Sequence, residues 1–77
     1  MNEKKRQITF IVPAYNEENN IRPFHEETNK TVRGMNNYTC EFVFIDDGSN
    51  DSTWQVISEI SNLNSAVKGF YPQKGLL

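Results

Sequence analysis

FVFIDDGSNDST, Phe42 to Thr53, passes from a short apolar run straight into two adjacent carboxylates and a turn. Phe42, Val43, Phe44 and Ile45 are aromatic or β-branched, with no polar break between them. That pattern predicts a strand buried on both faces, inside a parallel sheet covered by helices. Asp46 and Asp47 then fall at its carboxyl end, the rim at which open α/β sheets hold their ligands. Gly48 lets the chain bend sharply, and Ser49, Asn50 and Asp51 can bond their own backbone.

Upstream, Ile8-Thr9-Phe10-Ile11-Val12 predicts a first strand, ended by Pro13, which has no N–H to give a ladder. Glu17 to Asn20 supply acidic and capping groups for a helix start, with Pro23 tolerated in the first turn. Ile21, Phe24, Thr28, Val32 and Met35 recur at intervals of three and four, one buried stripe of a helix ending near Gly34. The second strand is expected over Glu41 to Ile45. After it, Ser52-Thr53-Trp54-Gln55 has capping-box spacing, with Asp51 as an alternative cap. Trp54, Ile57, Ile60 and Leu63 form a second stripe, which makes Trp54 a core residue rather than a stacking platform. Ala66 to Tyr71 reads as a third strand weakened by Lys68 and Gly69, and Pro72 to Gly75 as a breaker cluster before Leu76 and Leu77. The order β-α-β-α-β is that of half a doubly wound, three-layer α/β fold with a mainly parallel sheet. There is no internal repeat and no linker.

At 77 residues the chain is one small domain at most. Chains of that size bury only about 60% of their unfolded surface, so stability is marginal. Hydrophobic residues make up 36% and mean hydropathy is -0.68, low for a sheet buried on both faces. A net charge of -2 gives no electrostatic case for nucleic acid. Lys4-Lys5-Arg6 reads as a solubilising flank. The single Cys40 has no disulfide partner within the chain and is expected as a small core residue, not a nucleophile. His25 is expected at a boundary, with no second ligand at metal spacing. No signal peptide is visible and no stretch approaches the roughly 20 apolar residues of a membrane span, so a cytoplasmic location is expected.

Both strands end in something chemically pointed: Pro13-Ala14-Tyr15-Asn16-Glu17 after the first, Asp46-Asp47-Gly48-Ser49 after the second. Right-handed crossovers bring the two ends to one rim. An aromatic face there can stack on a planar base, and a carboxylate can accept its N–H groups. The chemistry suits a nucleoside and not a phosphate, because neither a glycine-rich loop nor positive charge is present.

The pair IVPAYNEENNI (Ile11 to Ile21) and FVFIDDGSNDST resembles the opening of the family 2 glycosyltransferases. It is most similar to enzymes that load a sugar from a nucleotide donor onto a polyprenyl phosphate, such as dolichol or undecaprenyl phosphate. The resemblance covers residues 8 to about 71 and leaves 72–77 as a divergent tail. It implies the first part of a GT-A fold and a UDP- or GDP-sugar held at these loops. Pro13 and Tyr15 would line the base pocket, Asp47 would take a base N–H, and Asp46 would support the turn or the ribose. Glu17 would lie toward the ribose. Members of the family also carry an Asp-x-Asp motif that binds Mg or Mn, and a later carboxylate base. Here no Asp-x-Asp occurs, and Glu59 is the only acidic residue after Asp51. The chain therefore reads as a truncated domain without catalytic residues or metal ligands of its own, inactive in sugar transfer when alone. The family's strand order leaves the edge of the first strand open, so a homodimer or larger assembly is expected. Two other readings stand beside this one. One is a non-catalytic half-domain that self-associates. The other is a receiver-like domain, which would need a further Asp and a Lys at later strand ends.

Overall fold

The computed structural model describes residues 4–72 and 75–76. The elements are β1 (Arg6–Ala14), α1 (Ile21–Arg33), β2 (Tyr38–Asp46), α2 (Thr53–Leu63), β3 (Val67–Tyr71) and β4 (Gly75–Leu76). They build one sheet in the order β1-β2-β3-β4. β1, β2 and β3 run parallel, and β4 turns back antiparallel on β3. The chain is thus α/β with a mainly parallel sheet, as expected. The breaker cluster at Pro72 is followed by the short β4, which sequence reading did not foresee; Gln73, Lys74 and Leu77 lie outside the described residues.

β1 and β2 are each nine residues long, and their register pairs Arg6 with Tyr38 through Ala14 with Asp46. Pro13 therefore does not end the strand. In this parallel ladder the even residues of β1 bond toward β2: the Arg6 N–H donates to Asn37 O, and Ala14 O accepts from the Asp47 N–H. The odd residues point their backbone groups to the other side, where no strand among the described residues pairs. Pro13 is odd, so its missing N–H removes nothing from the sheet.

Burial alternates along the strands instead of covering both faces. Phe10 stacks on Phe42, and Phe42 on Phe44, with ring centroids 5.2 and 5.9 Å apart. Phe24 of α1 meets Phe42 and Phe44 edge-on. Gly69, which pairs with Phe44 and so shares its face, lies directly under Ile57 and Trp54 of α2. Both helices consequently cover the same face of the sheet. The opposite face carries Ile11, Pro13, Val43, Ile45 and Phe70, none of them buried. Ile11 is 61% exposed. The expectation that FVFI is buried on both faces is corrected to burial of Phe42 and Phe44 alone. Of the layers expected for the fold, the described residues form the sheet and one helical layer.

The helices follow their stripes with some losses at the ends. Ile21, Val32, Ile57 and Ile60 are buried, and Pro23 sits in the first turn of α1, where no intrahelical N–H bond is forfeited. Met35 lies beyond the helix and is exposed, and Leu63, the last residue of α2, is 87% exposed. Trp54 packs against the core and meets Tyr71 edge-on at 5.2 Å. Cys40 also packs against the core, and burial raises its thiol pKa against the lowering pull of Arg33. His25 stands edge-on to Phe42 at 4.7 Å. Partial burial there lowers its pKa, opposed by Glu26.

Candidate functional site

The register alone brings the two motif loops together. Ala14 pairs with Asp46, so Tyr15 and Asp47 are the next residues out of the sheet on neighbouring strands. The Asp47 N–H donates to Ala14 O at 3.2 Å, which prolongs the ladder by one rung. Both side chains are exposed at the carboxyl rim, Tyr15 to 53%. An aromatic residue and a carboxylate thus leave neighbouring strand ends at successive positions, both open to solvent.

Asp46 is placed differently. It is fully buried, and its Oδ1 accepts from the Ser49 N–H at 2.9 Å and from the Ser49 hydroxyl at 2.7 Å. Its Oδ2 is buried without a partner. Of the two roles the resemblance offered Asp46, its contacts are those of a turn support. Gly48 completes the turn with a positive φ of 85°. Nothing lies within 4 Å of the place where a Cβ would stand, so the demand for glycine is one of backbone conformation and not of space.

The remaining loop residues bond across to one another over chain separations of 33 to 36 residues. The Asn16 N–H donates to Ser49 Oγ, and Asn16 Oδ1 accepts from the Asn50 N–H, each at 2.8 Å. Glu17 N–H donates to Thr53 Oγ1 at 2.8 Å, and Glu18 N–H to Asp51 Oδ2 at 3.3 Å. In return, Glu18 Oε1 accepts from the Ser52 N–H at 2.8 Å. Asn16 has a positive φ of 53°, uncommon for a residue with a side chain and most tolerable for Asn.

These bonds revise the expected caps. Ser52 is the N-cap residue of α2 but makes no capping bond with its side chain. Asp51 takes over, with Oδ1 accepting from both the N–H and the hydroxyl of Thr53. Desolvation pushes the Asp51 carboxyl up, but the bonds from Thr53 and from the Glu18 N–H outweigh it and hold the pKa below the ordinary value. Thr53 is itself fully buried. At the start of α1, Asn20 likewise makes no side-chain cap and instead donates to Glu17 Oε1 at 2.6 Å. The Glu17 side chain is therefore engaged within its own loop.

A cavity of about 210 Å³ lies on the helical side of β1, lined by Val12, Pro13, Ala14, Glu17, Asn20, Ile21, Phe24 and Phe44. It touches Pro13 and Glu17 but not Tyr15, Asp46 or Asp47, so this cavity unites only two of the five candidate residues. No group of three or more His, Cys, Asp or Glu side chains among the described residues could hold a metal ion.

Glycosyl transferase family 2 matches the chain over residues 9–76. The chain belongs to this family. It is 39% identical over 64 residues to a dolichyl-phosphate beta-glucosyltransferase of Trichomonas vaginalis, covering 78% of this chain and 20% of that protein. It is 36% identical over 55 residues to a prophage bactoprenol glucosyl transferase homolog of Escherichia coli, covering 71% and 18%. A dolichol-phosphate mannosyltransferase of Pyrococcus furiosus is 32% identical over 56 residues, covering 73% and 15%. The chain thus spans about a fifth or less of the length of these relatives. No helix among the described residues is long and apolar enough to cross a membrane.

Proposed function

We propose that this chain is the base-recognising part of a nucleotide-sugar site in an enzyme that transfers a sugar to polyprenyl phosphate. The observation that carries this reading is the pairing of Ala14 with Asp46, which leaves exposed Tyr15 and Asp47 adjacent at the carboxyl rim. Tyr15 stacks on the base, and Asp47 accepts a base N–H. Pro13 stiffens the chain that leads into Tyr15. Asp46 holds the turn through Ser49, and Glu17 stands toward the ribose. The relatives' names, each a transferase onto dolichyl phosphate or bactoprenol, support the polyprenyl-phosphate acceptor.

These residues bind and orient; they do not carry out the transfer. The leaving nucleoside diphosphate develops charge that a cation or a positive side chain must meet. The Asp-x-Asp motif that holds such a cation in the family has no counterpart in this sequence. The chain alone accordingly binds nucleotide without transferring sugar. It also self-associates through the edge of β1, where Gln7, Thr9 and Ile11 direct backbone groups outward that pair with no strand among the described residues.

Calorimetric titration with UDP and with GDP tests the base-binding reading. One of the two should bind saturably, and Asp47→Asn should weaken it by about tenfold, the loss of one charge-assisted hydrogen bond. Equal binding by wild type and Asp47→Asn would remove Asp47 from the site.

A further inference from the structure

Tyr15 is more than half exposed, so core packing does not fix it. The backbone that carries it must be held instead, and two relays of the same construction do so. In the first, the Asn16 N–H donates to Ser49 Oγ, and the Ser49 hydroxyl donates onward to Asp46 Oδ1. In the second, the Glu17 N–H donates to Thr53 Oγ1, and the Thr53 hydroxyl donates onward to Asp51 Oδ1. The direction of each hydroxyl proton follows from its neighbours. A backbone N–H can only donate and a carboxylate only accept, so the hydroxyl turns a lone pair to the first and its proton to the second. A carboxylate behind a hydroxyl shortens and strengthens the chain of bonds.

We propose that Ser49 and Thr53 are positioning residues for nucleotide recognition: their hydroxyls clamp the backbone of residues 16 and 17 and so hold Tyr15 beside Asp47. The inference rests on the base-binding reading above and adds how that site is kept in register. Neither hydroxyl needs to touch the nucleotide. Asn16 completes the clamp, because its side chain accepts from the Asn50 N–H while its backbone stays in the left-handed region. Fixing the backbone before binding lowers the entropy that the nucleotide must overcome.

The test compares Thr53→Val, which keeps the shape and deletes the hydroxyl, with Thr53→Ser, which keeps the hydroxyl. Each is titrated with UDP and GDP, and amide hydrogen exchange is followed at Asn16 and Glu17. Thr53→Val should weaken nucleotide binding by about tenfold, while Thr53→Ser stays within about twofold of wild type. Exchange at Glu17 should rise in Thr53→Val and not in Thr53→Ser. A folded Thr53→Val that binds as wild type does would overturn the proposal, whatever its effect on thermal stability. Should Thr53→Val fail to fold, Ser49→Ala decides, because it deletes the other hydroxyl and leaves the Asn16 N–H without its acceptor. Ser49→Ala should weaken binding in the same direction, and unchanged binding would overturn the clamp. Absence of binding by wild type would defeat the base-binding reading instead. Exchange at Glu17 would then judge the clamp, which unchanged protection in Thr53→Val refutes.

Discussion

At the scale of single residues, two glycines show how differently the same side chain can be required. Gly48 has open space around it and a positive φ, so Gly48→Ala introduces backbone strain of about 1–2 kcal/mol. Gly69 has an ordinary backbone, but an added Cβ would stand 2.5 Å from Ile57 Cγ2 and 3.2 Å from the Trp54 ring. Gly69→Ala should cost about 1–3 kcal/mol through overpacking. Urea unfolding of both variants separates the cases, because the loss in Gly69→Ala should shrink in an Ile57→Ala background, which lacks Cγ2, and that in Gly48→Ala should not. Gly69, a weak strand former by composition, is a place where α2 packs directly on the sheet. No local pattern could reveal this, since the helix that needs the space lies a crossover away.

Titration at this scale has a definite sign. Asp51 has a lower pKa folded than unfolded, so it stabilises the fold above the ordinary aspartate range. That contribution is lost as pH falls through the folded value. His25 is also lowered, by burial against Phe42, so the fold prefers it neutral. Its effect sets in higher, with stability declining as pH falls below the ordinary histidine value and the unfolded chain takes up the proton. Unfolding free energy measured against pH should therefore fall on acidification in two stages. His25→Gln should remove the upper stage and Asp51→Asn should flatten the lower one.

At the scale of elements, periodicity was sufficient to place both helices, because Ile21, Phe24 and Val32, and Ile57 and Ile60, recur at helical spacing. The strands were less legible at their ends. Arg6 and Gln7 pair in register with Tyr38 and Thr39, although neither Arg nor Gln is a residue type that marks strand. The continuous run Phe42 to Ile45 suggested burial on both faces, whereas only the even positions are covered. The loops were legible as sites but not as a network: bonds spanning 33 residues or more leave no trace in a local pattern. Asp51 illustrates the point. Its place before α2 suggested a cap, but its hold on the Glu18 N–H depends on the first loop being brought alongside by the sheet.

The edge of β1 carries a prediction of its own. Gln7, Thr9 and Ile11 direct their backbone groups away from β2, and the exposed Ile11 side chain adds an apolar contact on the bare face. Sedimentation velocity should show association that grows with concentration and is reduced by Ile11→Lys, a charge that natural edge strands use to discourage pairing. A well-folded monomer at high concentration would contradict the edge-pairing account.

For the molecule as a whole, the arrangement divides into a covered face that supplies stability and a rim that supplies recognition. The aromatic ladder of Phe10, Phe42 and Phe44 under Phe24 anchors β1 to β2, and that pairing sets Tyr15 beside Asp47. Family membership and fold agree with the resemblance carried by the two motifs. The same whole-molecule view predicts that the chain, mixed with a nucleotide sugar and a polyprenyl phosphate, yields no glycosylated lipid, since the sequence carries no Asp-x-Asp to hold a cation against a leaving diphosphate.

The central claim is that the rim, and not the cavity beside α1, receives the base. Amide shift mapping during titration with UDP and GDP tests it most directly. The account predicts saturable shifts at Tyr15, Asn16, Asp47 and Gly48 with one nucleotide, diminished in Asp47→Asn. Shifts confined to Val12, Ile21 and Phe24, or none with either nucleotide at millimolar concentration, would contradict it.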